Sequence, residues 1–216
     1  VCARLPDFER RTTRDGAPSD FVVRARDGSV TFDLMEPGIL DRIARYIEER
    51  FDTDLDRILG MFFLSQHPAV ARHLSTGHRF NRGCGPLSLL RLNFAGGGGN
   101  CGFHSRVFAG MAARLQIAGK PLVAHTVPLW GHVIAAVAWR GSRALLDADV
   151  GHVFLTAGAD DLATIEDMRR GVPILTTASE GELGRYLTFA DADVRANPGW
   201  PDSDFPGCFP PGAPKV

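Results

Sequence analysis

The sequence is short of paired cysteines. Its four cysteines, Cys2, Cys84, Cys101 and Cys208, lie far apart, and none belongs to a C-x-x-C pair. That excludes a zinc knuckle and a dense disulfide framework. A Cys2–Cys208 bridge between the ends requires an exported protein. His-x-His and His-Glu-x-x-His spacings are missing too, so neither a metal nor a cofactor is expected. Net charge is nearly absent, with 24 Lys and Arg against 25 Asp and Glu leaving −1. There is therefore no bulk electrostatic case for nucleic acid or an anionic membrane as partner. No apolar run reaches the length of a membrane span, no segment repeats, and no secretory leader is visible. Because the chain as given begins at Val1, that last absence leaves the compartment open, with the cytoplasm favoured. Oligomeric state is open as well.

What is present is the composition of a soluble globular protein, 44% apolar and 23% charged over 216 residues. That length suits a single domain, 1–216. Residues 1–20 are polar and read as an irregular extension. Phe21–Ala25 and Ser29–Phe32 flank Asp27-Gly28 as a short hairpin. After Pro37-Gly38, the residues Ile39, Leu40, Ile43, Ile47 and Phe51 recur at helical spacing. A second helix follows over Leu55–Phe63 and a short third one over Ala69–Leu74. Asn81-Arg82-Gly83-Cys84-Gly85-Pro86 is a turn, and Leu87–Phe94 is an apolar segment of undefined type.

Gly96-Gly97-Gly98-Gly99-Asn100-Cys101 then leads into an amphipathic run carrying Val107, Phe108, Met111 and Leu115. This spacing predicts a helix capped by Asn100, with Cys101 as its first residue and an end near Gly119-Lys120-Pro121. A thiol there sits by unpaired backbone N–H groups at the positive end of the helix dipole, which favours thiolate. The pattern next becomes extended: strands over Leu122–Val127, Gly131–Trp139 and Ala144–Asp147, the second apolar on both faces and so central in a sheet. A helix over 160–169 and a strand over 173–177 complete the order. From Asn197 onward the chain is Pro- and Gly-rich, an irregular tail.

His132 begins the doubly apolar strand and Asp147 ends the next. Across a hairpin turning at 140–143 they lie near one another, at cross-strand distances of about 5 Å. Cys101, His132 and Asp147 thus compose a candidate catalytic triad of nucleophile, base and orienting carboxylate. The Cys101 N–H is a candidate oxyanion donor. For the second donor Asn93, Gln66, His78 and Asn81 are candidates. Asp149, on the same face as Asp147, competes for the third position. His104 leans back toward Cys101, whereas His125 and His152 read as structural.

Gly99-Asn100-Cys101, the helix closing at Ala118-Gly119-Lys120-Pro121, then Gly131-His132-Val133 and Leu146-Asp147 resemble the core of the transglutaminase-like superfamily. The resemblance covers about residues 93–150. Departures are Ile134 where many members carry Trp, Ala148 where Pro is usual, and Lys120-Pro121 for Ile-Pro. It implies a papain-like α+β fold, with the Cys helix packed on an antiparallel sheet bearing His and Asp. It also implies thiol-dependent acyl transfer on an amide or thioester, by hydrolysis or amine transfer, with a peptide, protein or acyl-thioester substrate. Some members are inactive, so a binding or scaffold domain is the alternative. Asp147-Ala148-Asp149-Val150-Gly151 is also similar to the Asp-Val-Gly segment of arylamine N-acetyltransferases, where Asp149 would be the third member; the arginine preceding their cysteine is missing.

Overall fold

In the computed structural model, residues 7–12, 18–25, 28–33, 36–66, 101–129, 132–178 and Tyr186 are described. The predicted helix at 69–74, the turn at 81–86, the segment 87–94, the glycine loop with Asn100, Trp130, Cys2, Cys84, Cys208 and the 197–216 tail lie outside them.

The apolar stripe after Gly38 forms helix α1 (Ile39–Arg50), which buries Ile39, Leu40, Ile43, Ala44 and Ile47. Helix α2 (Asp54–Gln66) follows. Where α2 turns back past Phe51, its Gly60 is a close-approach glycine. A Cβ there would lie 2.6 Å from Phe51 Cε2, and the ring, 1% exposed, has nowhere to go. Alanine normally gains about 1 kcal/mol over glycine in a helix. Here overpacking of about 1–3 kcal/mol reverses the sign, and Gly60→Ala should lower stability in urea unfolding. A net gain would show that the Phe51 ring can yield.

Helix α3 (Cys101–Ala112) carries the candidate nucleophile and buries Phe103, Val107, Phe108, Met111 and Ala112. Phe62 of α2 meets Phe108 edge to face, with centroids 5.3 Å apart and planes at 87°. The helix stops short of the predicted end. Ala118 and Gly119, both at positive φ (49° and 74°), instead turn a hairpin between β4 (Gln116–Ile117) and β5 (Lys120–Pro121). The apparent helix stop is a two-residue hairpin turn, which calls for left-handed backbone at both positions.

The N-terminal extension also differs from expectation. Strands β1 (Asp7–Thr12), β2 (Pro18–Ala25) and β3 (Gly28–Asp33) make a three-stranded antiparallel sheet. Its polar outer strand carries no strand signal in the sequence, because nothing in it alternates. Pairing satisfies its backbone, and charge on an edge strand opposes further pairing.

The second sheet holds β6 (Ala124–Leu129), β7 (His132–Trp139), β8 (Ser142–Asp147), β9 (His152–Thr156) and β10 (Ile174–Thr176), in the order β10-β9-β8-β7-β6. Every neighbour is antiparallel. β7 is flanked on both sides, but β8 is the middle strand, because β9 and β10 extend the sheet beyond it. Both faces are covered. Ala135, Val137, Ala144 and Leu146 join the core of α1, α2 and α3. Ile134, Ala136 and Leu145 join Phe154, Ile165, Met168 and Tyr186. Between β9 and β10, helix α4 (Ile165–Arg169) is shorter than predicted, its start fixed by a Thr164–Asp167 capping box. The architecture is α+β, with helices against an antiparallel sheet. None of the described helices is long and apolar enough to cross a membrane.

Candidate active site

Two elements bring the thiol to the imidazole. Cys101 stands at the start of α3 as a free, half-buried thiol. One turn on, the fully buried Ser105 donates from Oγ to the Val133 carbonyl at 2.8 Å. That bond ties α3 to β7 beside His132, where ligand-type atoms of Cys101 and His132 lie within 4.8 Å of each other.

The hairpin register explains which carboxylate takes the other side of the ring. Ala135 faces Leu146 and Ala138 faces Arg143. Continued outward, this places His132 level with Asp149, with Asp147 on the diagonal. A diagonal neighbour is within reach of a ring, and His132 Nε2 meets Asp147 Oδ2 at 2.5 Å.

Asp147 is 0% exposed and well held. The Tyr186 hydroxyl donates to Oδ2 at 2.5 Å. The amides of Asp149 and Val150 donate to Oδ1 at 3.0 and 3.4 Å, an aspartate turn that bends the chain out of β8. The Tyr186 ring packs on Phe154, with centroids 4.9 Å apart, and its hydroxyl lies 3.4 Å from His152 Nδ1. Tyr186 was not found from sequence: no periodicity or motif marks Gly184-Arg185-Tyr186. The Ser105 anchor was equally silent, since a helical serine normally reads as a neutral residue.

The electrostatics follow from these contacts. The Asp147 hydrogen bond, then the neighbouring Cys101 thiol, push His132 from 6.5 up to about 10 against the opposing effect of burial. For Asp147 burial works upward, but hydrogen bonds from His132 and Tyr186, the imidazolium charge and the Asp149 amide outweigh it. The carboxyl is held below 3.8. The pair is therefore ionic at neutral pH, with Nε2–H donating. The sign for stability is direct. The His132 contribution is complete below about pH 6.5 and is lost as pH rises toward about 10. That of Asp147 is present above about pH 4 and is lost on acidification. With chelator present, the stability difference between wild type and His132→Gln should shrink steadily from pH 6.5 to 10. A constant difference in urea titrations would refute the ion pair.

Asp149 is close but separate. One ligand-type atom from each of Cys101, His132 and Asp149 lies within 4.8 Å of the others, and Asp149 is 9% exposed. Of the remaining histidines, His104 is buried within α3 against Phe103. His125 on β6 is pushed down by burial and then by Arg143, so it stays neutral. The candidate second oxyanion donors Asn93, His78 and Asn81, and the side chain of Gln66, lie outside the described residues. A polar hollow lined by Arg140, Ser142, Asp161, Glu166 and Arg170 sits at the opposite, turn end of β7 and β8, roughly 20 Å of strand away.

Compared with known proteins, the chain matches no family model, no curated protein and no solved structure.

Proposed function

We propose that the protein is a thiol-dependent acyl-transfer enzyme with Cys101 as nucleophile, His132 as base and then acid, and Asp147 as the orienting carboxylate. The observation that carries the reading is the convergence of three groups from α3, β7 and β8, with His132 bonded to Asp147 and a Cys101 ligand atom within 4.8 Å of the imidazole's. A cationic imidazole favours a neighbouring thiolate. Attack forms the S–C bond and moves the carbonyl electron pair onto oxygen, with the Cys101 N–H as its donor in this reading. Collapse breaks the C–N or C–S bond, and the proton on His132 goes to the leaving amine or thiol. Water or an amine, deprotonated by His132, then takes the acyl group and restores the thiol pair.

A Cys-bearing helix against an antiparallel sheet bearing His and Asp supports a papain-like, transglutaminase-like architecture. The substrate class is a peptide or protein amide or an acyl thioester. His132 engages Asp147 rather than Asp149, which favours the transglutaminase-like assignment of the third residue over the arylamine N-acetyltransferase one.

The test is intact-mass trapping of an acyl adduct from a panel of peptide amides, acyl thioesters and acyl arylamines, with Cys101→Ala as control. An adduct mapped to Cys101 and missing in the variant is the expected result. If no panel member acylates the folded protein, and Cys101 alkylates no faster than a model thiol, the enzyme reading fails in favour of a binding or scaffold domain.

A further inference from the structure

Asp149 has no part in the chemistry above, yet a largely buried carboxylate lies against the thiol and the imidazole. Sulfur, nitrogen and oxygen donors from three separate elements thus converge on one point, the arrangement that holds a cation. We propose that Cys101 Sγ, His132 Nδ1 and an Asp149 oxygen form a three-donor site for a zinc-class divalent cation, and that the bound ion reversibly masks the thiolate.

The donor set is sulfur, nitrogen and oxygen, which selects a borderline-soft metal such as Zn2+ over Mg2+ or Ca2+. Tetrahedral zinc, with bonds of about 2.0–2.3 Å, places its donors roughly 3.3–3.8 Å apart. One ligand-type atom of each of the three residues already lies within 4.8 Å of the others, so side-chain adjustments of about 1 Å close the site. The fourth position stays open to water. The surroundings fit as well. A ligating histidine characteristically gives its other N–H to a carboxylate, and His132 Nε2 meets Asp147 at 2.5 Å. That carboxylate is fixed in turn by Tyr186 and two backbone amides. The ligands come from α3, β7 and the turn after β8, so no short sequence spacing announces them. Binding is redox-neutral. The Nε2 proton stays on the Asp147 bond, and the other proton of the thiol–imidazole pair is released as the metal bonds form.

The inference goes beyond acyl transfer, since the donors bind the ion whether or not the thiol turns over. The test is titration of chelator-stripped, full-length protein with Co2+ alone. Intense visible bands of four-coordinate cobalt and a near-ultraviolet thiolate-to-cobalt band should saturate at one ion per chain and vanish on adding Zn2+. Zn2+ should also block iodoacetamide labelling of Cys101, mapped by mass, and EDTA should restore it. Cys101→Ser should lose the thiolate band. Asp149→Asn should weaken Zn2+ binding beyond the about 10–100-fold typical of an outer-shell partner. The wild-type spectrum decides the matter even if that variant does not fold. Weak six-coordinate bands only, a thiolate band retained in Cys101→Ser, or labelling indifferent to Zn2+ would overturn the site. Fast labelling and acyl trapping without the cobalt bands would remove the metal inference and leave the enzyme reading standing; the bands without any adduct would do the reverse.

Discussion

Replacing Asp147 by asparagine should slow acyl-enzyme formation at Cys101 by about 10^4-fold, the loss typical when a buried triad aspartate becomes an amide. The physical reason is a mismatch of donors. Oδ2 accepts from His132 Nε2 and Tyr186, and Oδ1 accepts from the amides of Asp149 and Val150. An asparagine must turn its NH2 toward one of these pairs, so two donors face each other whichever way it lies. The imidazole then either loses its bond or adopts the other tautomer, with Nδ1 protonated and Nε2 accepting, so the protonation pattern that Asp147 fixes is lost. The largest support for the high His132 value disappears as well, so the imidazolium will be lost at lower pH. Stability should fall by about 1–3 kcal/mol, the cost of an unsatisfied buried polar group. Urea titration separates that loss from the kinetic one. A folded Asp147→Asn protein within tenfold of wild type would remove Asp147 from the mechanism.

Phe108→Ala should be the most destabilising single truncation in the Cys101 helix. The ring is 0% exposed and meets Phe62 edge to face, so its loss opens a cavity between α2 and α3. Removal of a buried phenylalanine costs about 3–5 kcal/mol, and the aromatic pairing about 0.5–1.5 kcal/mol on its own. Against a typical total stability of about 5–15 kcal/mol, the variant approaches the unfolding threshold at moderate temperature. Thermal and urea unfolding provide the check. A loss below about 1 kcal/mol would mean that α3 repacks freely, and the tight placement of Cys101 would need another source. Phe108→Leu should recover most of the loss, since it refills most of the volume.

Much of this arrangement was legible in the sequence, for identifiable reasons. The Ile39–Phe51 stripe repeats for more than three turns, long enough for periodicity to decide. His132 and Asp147 were found because a tight turn at 140–143 sets a hairpin register that two residue numbers can test. Asp147 and Asp149 could not be separated that way. The pair forms on the diagonal rather than straight across, and an aspartate turn decides it through backbone amides. The terminal strand β1 was missed because its stabilising partner is the ladder to β2, which leaves no trace in a polar edge strand. Gly119 misled for a related reason: glycine after a helix and glycine in a two-residue hairpin carry the same signal. Tyr186 and Ser105 act through hydrogen bonds across long chain separations, and no local pattern encodes those.

The Ser105–Val133 bond and the Tyr186–Asp147 bond each join segments far apart in the chain. Contacts of that kind form late, because long loops must close before they repay their entropy. During synthesis Cys101 emerges from the ribosome before His132, Asp147 and Tyr186 do. A nascent or half-folded chain therefore presents a thiol with no base beside it. On the proposed function, the protein acquires its reactivity only when the sheet has closed, and premature acylation of neighbouring chains during biosynthesis is avoided by the order of folding itself.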